Sequence, residues 1–239
     1  MGDKGAGPAF GSPRRHYRHT DSTNTRAREL AEAGAAHGTV VTAGEQTAGR
    51  GRQGRSWSAP AGKALLYSAI LRPLDERHLL LPLAVPVAVC EAAESLQEGI
   101  ECAIKWPNDV WLKDRKLGGV LIEARPQDGW AVIGVGLNLD IAPDEFAPGL
   151  RETATSLGGG ATPERARRAL DACLGRWVAA DAGTILSEWR SRDALRGREI
   201  AWEEGSGVAA GIDDRGSLVV VTAVGDHLRL GAGEVHLRL

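Results

Sequence analysis

The chain has 239 residues, a formal net charge of −2, 43% hydrophobic and 25% charged residues, which supports a folded core and excludes fibrous and disordered classes. The slightly acidic balance argues against a general nucleic-acid binder, so any anion site must be local. Cys90, Cys102 and Cys173 show no CxxC or CxxH spacing, and their odd number is a poor start for a disulfide framework, which fits a reducing cytoplasm.

The first 16 residues are rich in Gly, Pro and charge and lack the apolar run of a signal peptide, so a flexible start and no export are expected. TRARELAEAGAA then places Ala27, Leu30, Ala31 and Ala35 at helical spacing, with Asp21 or Ser22 as cap and Gly38 as breaker. TVVTA reads as a short strand leading into EQTAGRGRQGRSW, whose glycines predict an irregular loop. Residues 64–72 read as a buried strand and LLLPLAVPVAVCEAAESLQ as the main core helix. Its apolar run, Leu79 to Cys90, carries two prolines and falls short of the roughly 20 residues needed to span a bilayer.

AIKWPNDVWL predicts two short strands meeting at Pro107–Asn108. Turns at Asp114–Arg115 and Gln127–Gly129 separate KLGGVLIEAR and WAVIGVGLNL, so residues 103–140 read as consecutive antiparallel strands. Residues 163–195 return to helical spacing, with Pro163 suited to a first turn after Thr162. From Arg198 the pattern changes to short strands separated by turns, suggesting a small barrel. The architecture is α+β with a β-appendage.

The segment from Gly49 to Trp57 is the most informative. Its glycines let the backbone approach a ligand, and Arg50, Arg52 and Arg55 supply donors for phosphate or carboxylate. The plain alternative is a solvated Arg-Gly loop or an RNA-binding tail. Trp57 can cover a flat ligand such as a nucleobase or, as lone tryptophans more often do, pack in the core; only its loop context separates it from Trp106, Trp111, Trp130, Trp177, Trp189 and Trp202, which read as packing residues. Lys105, Asn108 and Asp109 place a cation, an amide and a carboxylate together, as Mg²⁺–nucleotide binding needs, or else simply close a hairpin at an Asn-Asp turn. Lys116 precedes Leu117-Gly118-Gly119 and is either a ligand-facing cation or a surface lysine before a bulge. Gly134-Val135-Gly136-Leu137-Asn138 is not followed by a helix, so it is not a dinucleotide fingerprint and reads as a close backbone approach.

His16, His19, His37, His78, His227 and His236 lack paired ligand spacing, and GxSxG, GxxxxGK[ST] and HExxH are absent. What is left is anion binding without a nucleophile. A carboxylate attacking the α-phosphate of ATP needs both anions neutralised and aligned but no covalent enzyme group, so acyl-adenylate formation is the candidate chemistry.

Taken in order, DSTN (21–24), EQTAGRGRQGRSW (45–57), KWPNDV (105–110), RKLGGVLIE (115–123), GVGLNL (134–139) and ATSL (154–157) resemble the signature of biotin protein ligases. The resemblance implies an α+β fold: a mixed, mostly antiparallel sheet flanked by helices, as in class II aminoacyl-tRNA synthetases, and a C-terminal SH3-like barrel. The expected division is a flexible N-terminus and first strand at 1–19, a catalytic domain at 20–195 and the barrel at 196–239. It implies ATP-dependent biotinylation of a lysine on the biotin carboxyl carrier domain of an acyl-CoA carboxylase, through biotinyl-5′-AMP, with Mg²⁺. Lipoate or octanoate ligases and a non-catalytic adenylate sensor are the alternatives, and the GRGRQGR loop favours biotin.

By the same resemblance Ser22, Thr23, Asn24, Gln46, Gly49, Arg50, Arg52, Lys116, Gly119 and Gly134 would line the biotin and acyl-phosphate site. Arg52, Arg55, Trp57, Asn108, Lys116 and Asn138 would bind ATP or the adenylate, Trp57 by stacking and Asn138 by reading adenine. Asn108 and Asp109 would hold Mg²⁺. Arg50 and Lys116 would offset the charge of the reacting anions, and Asp109 would take the proton of the acceptor lysine. Only about 20 residues precede DSTN, so no DNA-binding domain and no DNA partner are expected, and the protein is expected to be a cytoplasmic monomer or weak dimer without a membrane partner.

Overall fold

The computed structural model describes residues 9–231, 233 and 235–237. Most of the expected flexible start, residues 1–8, lies outside the described residues. The main sheet has seven strands in the order β1-β2-β3-β7-β6-β5-β4. They are β1 (Arg14–Thr20), β2 (Val40–Gln46), β3 (Ala64–Leu71), β4 (Cys102–Lys105), β5 (Asp109–Leu112), β6 (Arg115–Arg125) and β7 (Trp130–Asn138). β1 and β2 run parallel, joined by the crossover helix α1 (Thr23–Glu32), and every other neighbouring pair is antiparallel.

All eight residues of β3 are buried, because both faces of the sheet are covered. On one face α1 sets Ala27 and Ala31 against Val41, Ile70, Trp130 and Val132, the small alanines letting the helix sit close to the strands. On the other face lie α2 (Leu81–Leu96) and α3 (Pro163–Val178), with α4 (Ala182–Ser191) against α2. α2 is apolar nearly all round, as a helix enclosed by other elements must be. Thr162 caps α3 by accepting from the Arg165 N–H, with Pro163 in the first turn as expected.

The five C-terminal strands, β8 (Glu199–Trp202), β9 (Gly205–Ile212), β10 (Leu218–Val221), β11 (His227–Leu230) and β12 (His236–Leu237), form a second antiparallel sheet ordered β11-β10-β9-β8-β12. Ile200, Ile212, Leu218 and Val220 join the same apolar cluster as α2 and α3, so the core is continuous across the 195/196 boundary. Trp106 Nε1 donates to the Gly216 carbonyl at 3.0 Å, a further tie between the two sheets.

Three local expectations are corrected. α1 ends at Glu32, not at Gly38: Gly34 adopts φ +84°, and the Ala35 N–H reaches the Leu30 carbonyl while the Gly34 N–H reaches Ala31, which is a Schellman ending. The turn after β5 is centred on Lys113–Asp114, not Asp114–Arg115, since both carry positive φ (51° and 60°) as a two-residue type I′ hairpin demands. The third concerns residues 49–57, which are not irregular. Arg50 and Ser56 pair as an antiparallel bridge, the Gly51 N–H donates to the Arg55 carbonyl at 2.7 Å, and Trp57 N–H donates to the Gly49 carbonyl at 2.9 Å. They form a miniature hairpin whose tip turns through Gln53 and Gly54, both at positive φ.

Candidate active site

A cavity of about 510 Å³ opens where the start of α1, the 49–57 hairpin, the β5–β6 pair and β7 converge. A larger cavity of about 990 Å³, lined by Arg72, Leu79 and Ile185 among others, holds none of the motif residues. Of the expected site residues every one lines the smaller cavity except Gly49. Gly49 instead shapes the hairpin. A Cβ there would lie 2.3 Å from the Trp57 carbonyl oxygen, so only glycine lets the neck of the hairpin close.

At one end, Thr23 N–H and the Thr23 hydroxyl donate to Gln46 Oε1 at 2.7 and 2.9 Å. A backbone N–H can only donate, so this fixes which side of the Gln46 amide is oxygen and turns its NH₂ toward Gly49. The expected caps of α1 are corrected here: Ser22 holds the N-cap position but its side chain makes no capping bond, and Gln46 takes that function from the neighbouring strand. Asp21 instead accepts from the Ser22 N–H and from Arg26. Partial burial pushes its carboxyl up, but those donors outweigh it and hold the group below the usual carboxylate range.

Gly134 and Gly136 in β7 both meet a side chain at closer range than a Cβ would permit. At Gly134 the Cβ would lie 2.1 Å from Asn24 Oδ1, and at Gly136 it would lie 2.3 Å from Trp57 Cε2. Gly119 on β6 lies beneath the same indole and beside Lys116, each about van der Waals distance from its absent Cβ. Trp57 therefore lies flat on a floor of two glycines. Lys116 Nζ is 5.8 Å from its ring centroid, and its Nε1 is buried without an acceptor among the described residues.

Lys116 opposes Trp111 across a register shift that leaves Leu117 as the extra residue of a β-bulge, and bulges re-aim the side chains beside them. Its ammonium lies 2.7 Å from Asp109 Oδ1, a close ion pair by distance although outside hydrogen-bond geometry. Asn108 Nδ2 donates to the Val120 carbonyl at 2.7 Å, and Val120 N–H returns to the Asn108 carbonyl, so Asn108 binds the 106–109 turn to β6. Asn138 Nδ2 likewise donates to the Thr155 carbonyl at 2.9 Å, tying β7 to the ATSL segment. Among the described residues no group of three or more His, Cys, Asp or Glu could hold a metal. Asn108 and Asp109, the residues expected near Mg²⁺, stand side by side, held by Val120 and Lys116 respectively.

The Arg50 guanidinium points to Glu123, with Nη2 2.9 Å from Oε2. Glu123 was not among the expected residues, and a lone glutamate at the end of a strand pattern carries no signal. Trp111, read only as a packing residue, is buried yet lines the cavity with Lys105 Nζ 5.4 Å from its ring. His236 and Leu237 from the second sheet also line it, which no local pattern could announce.

A model of the biotin/lipoate A/B protein ligase family matches residues 17–140. The biotin–[acetyl-CoA-carboxylase] ligase of Mycobacterium tuberculosis is 36% identical over 92% of this chain and 87% of its own length. The chain belongs to the biotin/lipoate A/B protein ligase family, as a biotin protein ligase. The bifunctional ligase/repressor BirA of Bacillus subtilis is 39% identical over 57% of this chain, which spans only 43% of that protein. Among solved structures, the Aquifex aeolicus biotin protein ligase in complex with biotin and ATP superposes with a TM-score of 0.81 at 28% identity, covering 95% of this chain and 99% of that one. In this ligase family member no helix of the described residues is long and apolar enough to cross a membrane.

Proposed function

We propose that this chain joins the biotin carboxylate to the α-phosphate of ATP, releasing pyrophosphate, and then passes the biotinyl group from biotinyl-5′-AMP to a carrier lysine, releasing AMP. The observation that carries the reading is the composition of one cavity wall: a hydrogen-bonding end at Thr23 and Gln46, a flat indole on a glycine floor, and the Lys116 cation beside that indole. The polar end suits a ureido group, the indole suits adenine, and the cation stands where carboxylate and phosphate would meet. Lys116, Arg52 and Arg55 would neutralise those anions, each charged hydrogen bond contributing about 1.5–3 kcal/mol. Arg50, whose guanidinium is taken by Glu123, would serve chiefly by holding the hairpin and offering its main chain.

Asp109 would receive the proton of the acceptor lysine, whose ordinary pKa of about 10.4 makes it a cation at neutral pH. Mg²⁺ would enter as the counter-ion of ATP, carried chiefly by its phosphates. The acceptor would be the biotin carboxyl carrier domain of an acyl-CoA carboxylase. The second sheet would be an SH3-like barrel and the main sheet would share the class II synthetase plan, with the division near residue 195.

The test is ATP–pyrophosphate exchange with biotin, lipoate or octanoate as the acid. Exchange with biotin alone is the expected result. Exchange that requires lipoate would move the chain to the other branch of its family, and adenylate binding without exchange would make it a sensor.

A further inference from the structure

Lys105, Asp109, Trp111 and Lys116 line the cavity together from one face of β4, β5 and β6. Across the sheet, Gly136 pairs with Gly119, Gly119 with Asp109 and Asp109 with Lys105, so these positions form one transverse row. Paired residues share a face, and Trp57 lies on the two glycines, so Asp109 and Lys105 continue its floor toward the β4 end of the sheet. Two residues along β5 from Asp109, Trp111 returns to that face, while Val110 between them is buried in the core on the other. Lys116 opposes Trp111 from β6, and its ammonium is 2.7 Å from Asp109 Oδ1.

Neither biotin nor adenine has a group for this second indole. The ureido end lies near Gly134, which contacts Asn24 and precedes the row along β7, whereas Trp111 lies past the row on the opposite side. Asn138, expected to read adenine, is level with Trp111 but two strands away, about 10 Å at ordinary strand spacing. The face of an indole is electrostatically negative, so it repels phosphate and attracts a cation. The chain itself supplies the example: Lys105 Nζ stands over the Trp111 ring, 5.4 Å from its centroid. With Asp109 beside it, the ring offers what an alkylammonium needs, an apolar wall for the stem and a carboxylate near the nitrogen.

We propose that Trp111 binds the acceptor lysine of the second step, its indole taking the lysine stem and ammonium in the place that Lys105 takes in this structure. This rests on the biotinyl-transfer reading of the cavity. From the ring the nitrogen is directed past Asp109 to the acyl carbonyl at Lys116. The amine nitrogen bonds to the carbonyl carbon, the bond from that carbon to the phosphate oxygen breaks, AMP leaves with the electron pair, and the proton goes to Asp109.

The experiment is single-turnover transfer from biotinyl-5′-AMP bound to the full chain, with Nα-acetyl-lysine amide or hydroxylamine as the acceptor. Hydroxylamine is small, uncharged at neutral pH and without a stem, so it reaches the carbonyl without help from the ring. The variants are Trp111→Leu, Trp111→Phe and Lys105→Ala. Trp111→Leu should raise the half-saturating concentration of the lysine amide about tenfold, the order of a desolvated cation–π contact, and change hydroxylamine transfer by less than about twofold. Trp111→Phe, which keeps a weaker aromatic face, should lose only about threefold with the lysine amide. Lys105→Ala clears the ring and should lower the half-saturating concentration.

Equal losses with both acceptors would make Trp111 a packing residue, and an unchanged lysine amide curve would remove it from the acceptor's path. Either result overturns the inference and leaves the biotin reading intact. A higher half-saturating concentration in Lys105→Ala would overturn the exchange of one lysine for the other on the ring. Failure of the unaltered protein to pass biotin from the adenylate to either acceptor would overturn both the inference and the reading beneath it. Should Trp111→Leu fail to fold, the threefold fall in the lysine-to-hydroxylamine ratio of Trp111→Phe carries the test by itself.

Discussion

Gly136→Ala places a single methyl group where the floor of the site has none to spare. The new Cβ would lie 2.3 Å from Trp57 Cε2, 2.7 Å from Cζ2 and 2.8 Å from Cδ2, whereas ordinary contact begins near 3.4 Å. The strand cannot retreat, because Gly136 is paired with Leu66 on one side and Gly119 on the other. The indole must lift by about 1.1 Å, the difference between 2.3 and 3.4 Å. Stacking of a base on an aromatic ring is worth roughly 1–3 kcal/mol, so loss of most of it should raise the ATP KM about 10- to 100-fold. The biotin KM should change little, because the Thr23–Gln46 end does not touch the indole. Global stability should fall by no more than about 1–3 kcal/mol, the ordinary range for an added methyl in a filled space. The assay is pyrophosphate exchange against ATP at saturating biotin, with Trp57→Ala as the reference variant. An unchanged ATP KM in Gly136→Ala, with the fold intact, would refute the assignment of the indole to the nucleotide.

Two further outcomes follow from other contacts. Lys116→Met should cut the pyrophosphate-exchange rate about tenfold to a hundredfold, on the order expected for one charged hydrogen bond to the reacting anions. It should also leave Asp109 beside an apolar group, so adding Asp109→Asn should recover melting temperature without recovering activity; recovered activity would place the role of Lys116 in the fold. In the core, burial raises the Asp171 carboxyl above its usual range, although Tyr67, which donates to it at 2.8 Å, and Arg167 act the other way. A carboxyl with a raised folded-state pKa contributes stability below its unfolded pKa and loses it as pH climbs through the folded one. The advantage in melting temperature of the unaltered protein over Asp171→Asn should therefore shrink from about pH 4 upward, and a growing advantage would contradict that burial argument.

Much of the architecture was legible because its elements announce themselves locally. The continuous apolar runs of β3 and α2 read as enclosed elements, and turn residues divided 103–140 into strands. The parallel pairing of β1 was not legible. RRHYRHT is mostly exposed at the sheet edge, so neither alternation nor an apolar run marks its partner. Gly38 looked like the helix stop because it and Gly34 both take a positive φ (78° and 84°), and position alone does not tell which of them closes the helix. The 49–57 segment looked irregular because its cross-hairpin bonds are made by backbone, to which side-chain patterning is blind.

The site was legible to the extent that its residues lie in short, dense motifs. Nearly all of those residues do converge on one cavity, but the motifs said little about what each side chain faces. Arg50 looked like a ligand contact and, besides lining the cavity, is paired with Glu123; Gly134 and Gly136 read as a close backbone approach, and the side chains that approach them are Asn24 and Trp57. Ser68 and Glu123 find their partners, Thr23 and Arg50, 45 and 73 positions away, at separations where single-sequence spacing carries no information.

The participation of His236 and Leu237 in the wall of the cavity has a practical side. A segment or fusion partner joined close behind Leu237 starts at that wall, whereas one joined ahead of Arg14 leads into the edge strand β1. Reporter fusions, immobilisation chemistry and proximity-labelling formats built on this protein should therefore be attached at the front of the chain, and any activity measured with a rear-end tag carries the tag as a neighbour of the reaction.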